Sequence, residues 1–106
     1  MAFGTGMHPA YRADEGEERG LPREAAVKCW FTAGGRAIPL SMKIRDEEGR
    51  IHTVDDIRVQ HCEKKFYAGI PAWEYHCSVN LGCGVRNCVL RFYPERCMWR
   101  MFGGEN

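Results

Sequence analysis

The sequence predicts an all-β fold: a small antiparallel barrel or roll of about six strands with a mostly irregular N-terminal arm. The first observation is the run from Trp73 to Leu81, which alternates apolar and polar residues without a break, as a half-buried strand does. The second is that two similar runs follow, across a Gly-Cys-Gly turn and a Tyr-Pro-Glu-Arg turn. An open sheet of six strands would leave an apolar face uncovered, so we expect the sheet to curl.

The length of 106 residues predicts one domain, and 44% hydrophobic with 27% charged residues is a globular composition. Residues 1–26 hold five acids and three arginines, a net charge of −2, and the remainder of the chain therefore carries +3 of the total of +1. This imbalance is too weak to predict a polyanion ligand by itself. We divide the chain into an N-terminal arm, 1–26, and a single antiparallel β domain, 27–106.

The arm is assigned because it is rich in glycine, carries an acidic cluster and has no apolar periodicity. A short helix across Pro22 to Val27 is compatible with its composition. Docking of the arm on its own domain or on a neighbouring molecule would order it.

The first strand is predicted over Lys28–Thr32, which is rich in strand formers and ends at a Gly-Gly turn signal. Ala37–Arg45 predicts the second strand. Proline cannot donate a ladder hydrogen bond, so Pro39 places the start of this strand at an edge or a bulge. Strict alternation puts four apolar residues of this strand on one face: Ile38, Leu40, Met42 and Ile44.

The third strand begins with Ile51–Val54 after a hairpin loop, and its alternation breaks at Asp55-Asp56. It resumes over Ile57–His61, which indicates a β-bulge or a division into two short strands. Residues 63–72 are predicted to be a connection. The last three strands form a meander: Trp73–Leu81, Val85–Tyr93 and Cys97–Phe102.

Six cysteines are present, and since no export signal or membrane span is recognisable, reduced thiols in the cytoplasm are expected. His61-Cys62 and His76-Cys77 are poorly spaced for zinc, because adjacent residues of a strand point to opposite faces. Most of the cysteines, Cys97 included, are predicted to pack as small apolar residues, and Cys83, between two glycines, to be exposed. We assign no metal ligand and no cofactor.

No catalytic residue is assigned, because no nucleophile, base and oxyanion site can be recognised together. Asp55-Asp56 is better explained by a bulge than by an acid/base pair. The sequence therefore predicts a protein without enzymatic activity.

The candidate binding residues are basic and aromatic side chains on the predicted outer faces of the strands: Lys28, Trp30, His76, Arg91, Tyr93 and Arg100. The leading hypothesis is a non-enzymatic interaction module with an unknown protein partner. A single-stranded nucleic-acid-binding domain is the alternative, since cations interleaved with aromatics suit phosphates and bases. A small zinc- or thiol-dependent protein and a homodimer through the arm or an edge strand also stay open, and no membrane partner is predicted.

The chain resembles a family of small, functionally uncharacterised bacterial β-domain proteins. The resemblance spans residues 27–102 and implies one compact β domain, without catalytic or ligand-binding residues to transfer. The motifs that carry it are Lys28-Cys29-Trp30-Phe31, Pro39-Leu40, Val54-Asp55-x-Ile57, Ala68-Gly69, Tyr75-x-Cys77 and Cys97-x-Trp99.

Overall fold

The computed structural model describes residues 13–16, 22–82 and 84–103. The all-β class is confirmed, and no helix in these ranges has the length and apolarity needed to cross a membrane. The described residues form seven antiparallel strands: β1 (Arg23–Phe31), β2 (Ala37–Arg45), β3 (Ile51–Val54), β4 (Ile57–Tyr67), β5 (Ile70–Asn80), β6 (Val85–Tyr93) and β7 (Met98–Gly103).

The strands form one curled sheet, a half-barrel, in the order β3-β2-β1-β7-β6-β5-β4. Two meanders, β1–β3 and β4–β7, meet at a seam where Arg23 pairs with Met101 and Glu24 pairs with Arg100. The edge strands β3 and β4 follow each other in the chain and are linked by Asp55 and Asp56. The break predicted at these aspartates is therefore a division into two strands at opposite edges of the sheet.

The concave face of the half-barrel holds the main apolar core, to which both meanders contribute. On β5 the predicted phase is confirmed, because Tyr75, Cys77 and Val79 are buried there. The Tyr75 hydroxyl donates to the carbonyl of Ala37 and so links β5 to the start of β2 across the core. Leu90 is fully buried at the centre of this core.

Strand β2 contains a bulge that changes its inward-facing residues. Cys29 pairs with Pro39 and Lys28 pairs with Ser41, which leaves Leu40 as the extra residue. Pro39 predicted an edge or a bulge at the start of this strand, and the bulge is observed. The prediction that Ile38 shares the buried face is wrong, because the extra residue reverses the phase and leaves Ile38 exposed.

Residues 63–72, predicted to be a connection, are instead the end of a long β4–β5 hairpin, and that prediction is wrong. Its turn is Ala68-Gly69, with φ of 50° and 82°, and positive φ at both central residues is the signature of a type I′ turn. Pro71 is tolerated because β5 pairs with β6 only from Trp73 onward among the described residues.

A second bulge, at Gln60, decides which face of β4 carries His61. Val59 pairs with Cys77 but His61 pairs with His76, so Gln60 has no partner residue on β5. Without this extra residue, His61 would share the inner face with Ile57. The bulge instead places His61 beside His76 on the outer face.

Strand β1 begins at Arg23, so the short helix across Pro22 to Val27 is not formed. Within the arm, residues 13–16 dock on the protein's own domain, at the β4–β5 turn, and residues 23–26 belong to β1. The Asp14 carboxylate accepts hydrogen bonds from the backbone N–H groups of Ala68, at 3.1 Å, and Gly69, at 2.7 Å. The Glu15 backbone N–H donates to the Phe66 carbonyl at 2.6 Å on the free edge of β4.

Replacing Asp14 with alanine is expected to undock the arm and to lower the free energy of unfolding by about 1 kcal/mol, because two N–H groups lose a charged acceptor. Hydrogen exchange of the Ala68 and Gly69 amides should accelerate. Glu15→Ala is the matched control, since Glu15 bonds to Phe66 through its backbone. Equal acceleration in both variants would contradict this role of Asp14.

Candidate functional site

All six candidate binding residues lie on outward-facing positions of their strands, but the structure separates them into two groups. Lys28 and Trp30 lie on β1, whereas the other four lie on β5, β6 and β7. Trp30 is six residues beyond Glu24, the partner of Arg100, which is about 20 Å at roughly 3.3 Å per residue. The six therefore do not form one continuous surface.

The first group belongs to a larger face on the β1–β2 hairpin. Trp30 is 66% exposed and pairs directly with the exposed Ile38 on β2. Lys28 follows on β1, and Lys43 and Arg45 occupy the same side of β2. We call this set the Trp30 face: Lys28, Trp30, Ile38, Lys43 and Arg45.

The three cations of the Trp30 face are all exposed. Within the described ranges, none of them forms an ion pair with an acid. Their charges are therefore available to an incoming anionic group. The exposed indole beside them offers a flat apolar surface for stacking.

The second group is built around a buried carboxylate. Glu74 lies on the outer face of β5, yet it is only 4% exposed. Its Oε2 atom accepts a hydrogen bond from the Tyr67 hydroxyl and one of 2.8 Å from Arg91 Nε on β6. Burial of a carboxylate is costly without such partners, so these contacts hold Glu74 in its ionised form.

The pKa values of this group follow from the same contacts. Burial by itself would raise the pKa of Glu74, but the hydrogen bonds from Tyr67 and Arg91 and the charge of Lys65 lower this pKa to about 2. Burial, together with the hydrogen bond to Glu74, raises the pKa of the Tyr67 hydroxyl. Tyr67 therefore stays a proton donor and Glu74 an acceptor throughout the neutral range.

Arg91 and Tyr93 project outward but are enclosed by other side chains. The Arg91 guanidinium carbon lies 4.0 Å from the Tyr67 ring centroid and 4.1 Å from that of Phe102. Tyr93 is 1% exposed in a second small apolar cluster with Tyr67 and Ala72. Neither residue presents the surface that stacking on a base or direct phosphate contact would need.

Next to Glu74, the β4–β5 ladder gathers four more polar side chains. Glu63 is the direct partner of Glu74, and His61 is the direct partner of His76. Lys65 Nζ lies 3.2 Å from Glu63 Oε1 and 3.3 Å from Glu74 Oε1. We call this set the outer cluster: His61, Glu63, Lys65, Glu74 and His76.

Sequence reasoning missed the outer cluster, although a signal for it was present. In a two-residue hairpin centred on Ala68-Gly69, residues equally distant from the turn face each other. That rule alone pairs Glu63 with Glu74 and His61 with His76, as the register shows. Because residues 63–72 were predicted to be a connection, this pairing rule was not applied to them.

Cys62 and Cys77 point to the inner face of the sheet, opposite to the adjacent His61 and His76, as strand alternation predicts. Cys77 and its cross-strand partner Cys88 are buried in the inner core, and Cys62 pairs with Tyr75 on the same inner side. The neighbouring Cys88 thiol, together with burial, raises the pKa of Cys77. Cys97 is exposed in the β6–β7 turn, so the expectation that it packs in the core is wrong, and Cys83 lies outside the described residues.

The Trp30 face and the outer cluster are surface features that suit binding. They lie on different strands and use different chemistry: one offers an indole and cations, the other carboxylates and imidazoles. In a comparison with known proteins, no family model, curated protein or solved structure matches the chain.

Proposed function

We propose that this protein is a non-enzymatic binding module that holds its partner on the Trp30 face. The observation that carries this proposal is the 66% exposed indole of Trp30 among three exposed cations without acidic partners in the described residues. Trp30 and its cross-strand partner Ile38, 42% exposed, form a contiguous apolar patch, and contiguous exposed apolar patches rimmed by polar residues mark binding surfaces. The location of the protein in the cytoplasm remains a prediction from the sequence.

Single-stranded nucleic acid is the partner that this face fits best. Bases stack on exposed aromatic rings whatever their identity, and Lys and Arg side chains neutralise the phosphates that follow the strand. Lys43 lies two residues from Arg45 on β2, and Lys28 lies two residues from Trp30 on β1. The face therefore provides a stacking platform with cations along two adjacent strands.

The surface proposed to bind nucleic acid differs from the set of six residues predicted from the sequence. Arg91 and Tyr93 are left out because they are enclosed, and His76 because it lies beside Glu74 in the outer cluster. Arg100 stays outside because it lies on β7, on the other side of Glu24, and its guanidinium carbon lies 5.7 Å from the Tyr93 ring centroid. Lys28 and Trp30 are retained, and Ile38, Lys43 and Arg45 are added.

The test is fluorescence anisotropy of a labelled single-stranded oligonucleotide titrated with the protein at several salt concentrations. We expect Trp30→Ala to weaken binding by about 5- to 150-fold, the loss of one stacked base. Three phosphate contacts predict a slope of about −2 for the logarithm of affinity against the logarithm of salt concentration. Combined replacement of Lys28, Lys43 and Arg45 by alanine should remove most of that slope.

Two control variants lie on other parts of the surface. Val85→Ala removes an apolar side chain that is as exposed as Trp30, and Arg58→Ala removes an exposed cation that contacts Asp56 at 3.1 Å. Both should bind as the unaltered protein does. Absence of binding at low salt, or equal losses in Trp30→Ala and Val85→Ala, would overturn the nucleic-acid proposal.

A further inference from the structure

The outer cluster is separate from the Trp30 face, and we propose that it is a binding site for a divalent transition-metal ion, with Zn²⁺ as the expected occupant. Glu63, Glu74 and His76 each direct one potential ligand atom to a common point, with these atoms within 4.8 Å of one another. His61 stands beside them, its ring centroid 5.5 Å from that of His76. Four potential ligands thus come from two successive outward-facing pairs of one two-stranded ladder.

The separations within the outer cluster already approach those of a metal site. A tetrahedral Zn²⁺ ion with bonds of about 2.0–2.2 Å to nitrogen and oxygen holds its ligand atoms about 3.3–3.6 Å apart. His76 Nε2 lies 3.2 Å from Glu74 Oε1, and His61 Nε2 lies 3.2 Å from Glu63 Oε2. Glu63, Glu74 and His76 already lie close enough to share one ion, and His61 would turn toward it from its place beside Glu63 and His76.

Glu74 would be the ligand of this site whose position is most firmly held. Its Oε2 atom is held by Tyr67 and Arg91, whereas its Oε1 atom faces Lys65 and His76. Partners of this kind orient a metal-binding carboxylate and are a regular part of metal sites. The other ligands are more exposed, so an ion can enter from solvent past His61 and Glu63.

Lys65 shows that the position accepts a cation. Its ammonium group bridges Glu63 and Glu74 at 3.2 and 3.3 Å, so it compensates the two carboxylates when no metal is bound. A metal ion would displace this ammonium group. Lys65 is therefore expected to compete with the metal, and its side chain is long enough to turn into solvent.

The donor set indicates the kind of ion. Two imidazoles with two carboxylates suit Zn²⁺ and its first-row neighbours, whereas Ca²⁺ and Mg²⁺ prefer oxygen ligands alone. The inner-face position of Cys62 and Cys77 keeps both thiols out of this site. The predicted site consequently has nitrogen and oxygen ligands and no sulfur.

The experiment is calorimetric titration of the full chain with ZnCl₂, together with the absorption spectrum of the Co²⁺-loaded protein. We expect one equivalent of Zn²⁺ and a Co²⁺ spectrum without a sulfur charge-transfer band. His76→Ala should weaken binding more than about tenfold, since loss of even an outer-shell partner costs that much. Lys65→Met, which keeps the apolar stem but loses the charge, should tighten binding.

His52→Ala is the matched control, because His52 is a half-exposed histidine on β3 that contacts Asp46 at 2.8 Å, away from the outer cluster. It should bind Zn²⁺ as the unaltered protein does. The proposal is overturned if the protein takes up no Zn²⁺, if His52→Ala and His76→Ala lose affinity equally, or if the Co²⁺ spectrum shows thiolate ligation. Weaker binding by Lys65→Met would also contradict it.

Discussion

Replacing Glu74 with alanine is expected to lower the free energy of unfolding by about 3–5 kcal/mol, the usual cost of removing one partner from a buried ion pair. The reason is the charge left behind. Arg91 would keep its enclosed position between Tyr67 and Phe102 but would lose the carboxylate at 2.8 Å. Tyr67 would lose its acceptor as well. Urea unfolding followed by tryptophan fluorescence measures the difference.

Glu63→Ala is the control for this prediction, because Glu63 is the cross-strand partner of Glu74 but has a side chain that is 39% exposed. A half-exposed pair with Lys65 is worth at most about 1 kcal/mol. Exchanging Glu74 and Arg91 together for leucine and methionine should restore much of the stability lost in Glu74→Ala. Equal destabilisation by Glu63→Ala and Glu74→Ala would show that the buried Glu74–Arg91 pair contributes no more to the free energy of unfolding than the half-exposed Glu63–Lys65 pair.

Leu90→Ala is expected to destabilise the fold by about 2–5 kcal/mol, through lost apolar burial and the cavity that remains. Leu90 is 0% exposed, lies on β6 between β5 and β7, and pairs with Tyr75 and Met101. Its neighbours belong to the continuous inner core, so collapse of the surrounding structure cannot easily fill the space. Thermal or urea unfolding measures the loss.

Val85→Ala on the same strand is the comparison for Leu90→Ala. Val85 is 66% exposed, and surface substitutions of this kind change stability by less than about 0.5 kcal/mol. A Leu90→Ala variant that unfolds at the same urea concentration as Val85→Ala would contradict the position of the core on the concave face.

Alternation predicted the fold well wherever a strand is regular. On β5 and β6 each inward residue is separated from the next by one outward residue, so Tyr75, Cys77, Cys88 and Leu90 are all buried as expected. The bulge at Leu40 was indicated by Pro39 but not by alternation, and the bulge at Gln60 was indicated by neither, because an extra residue reverses the phase of every residue beyond it. Gly69 indicated a turn, but the strand that follows it was predicted to begin only at Trp73, because proline at position 71 argues against a strand.

The candidate sites were predictable only in part, since the sequence indicates outward direction but not accessibility. Lys28 and Trp30 are exposed as expected. Arg91 and Tyr93 point outward too, but neighbouring side chains of the second small apolar cluster on the outer face enclose them. That cluster includes Tyr67 and Ala72 of the β4–β5 hairpin, which was not predicted. The partnership of Glu74 with Arg91 likewise requires the registers of both ladders.

The seam between the two meanders has a consequence for the order of folding. Each meander consists of hairpins between neighbouring strands, and such local contacts form early. Among the described residues, β1 and β7 share two paired positions and then separate along a groove of about 740 Å³. Closing the seam joins distant parts of the chain and carries the larger loop-closure entropy. We therefore expect β1–β3 to attach last during folding and to detach first, as one unit, when the native protein partially opens.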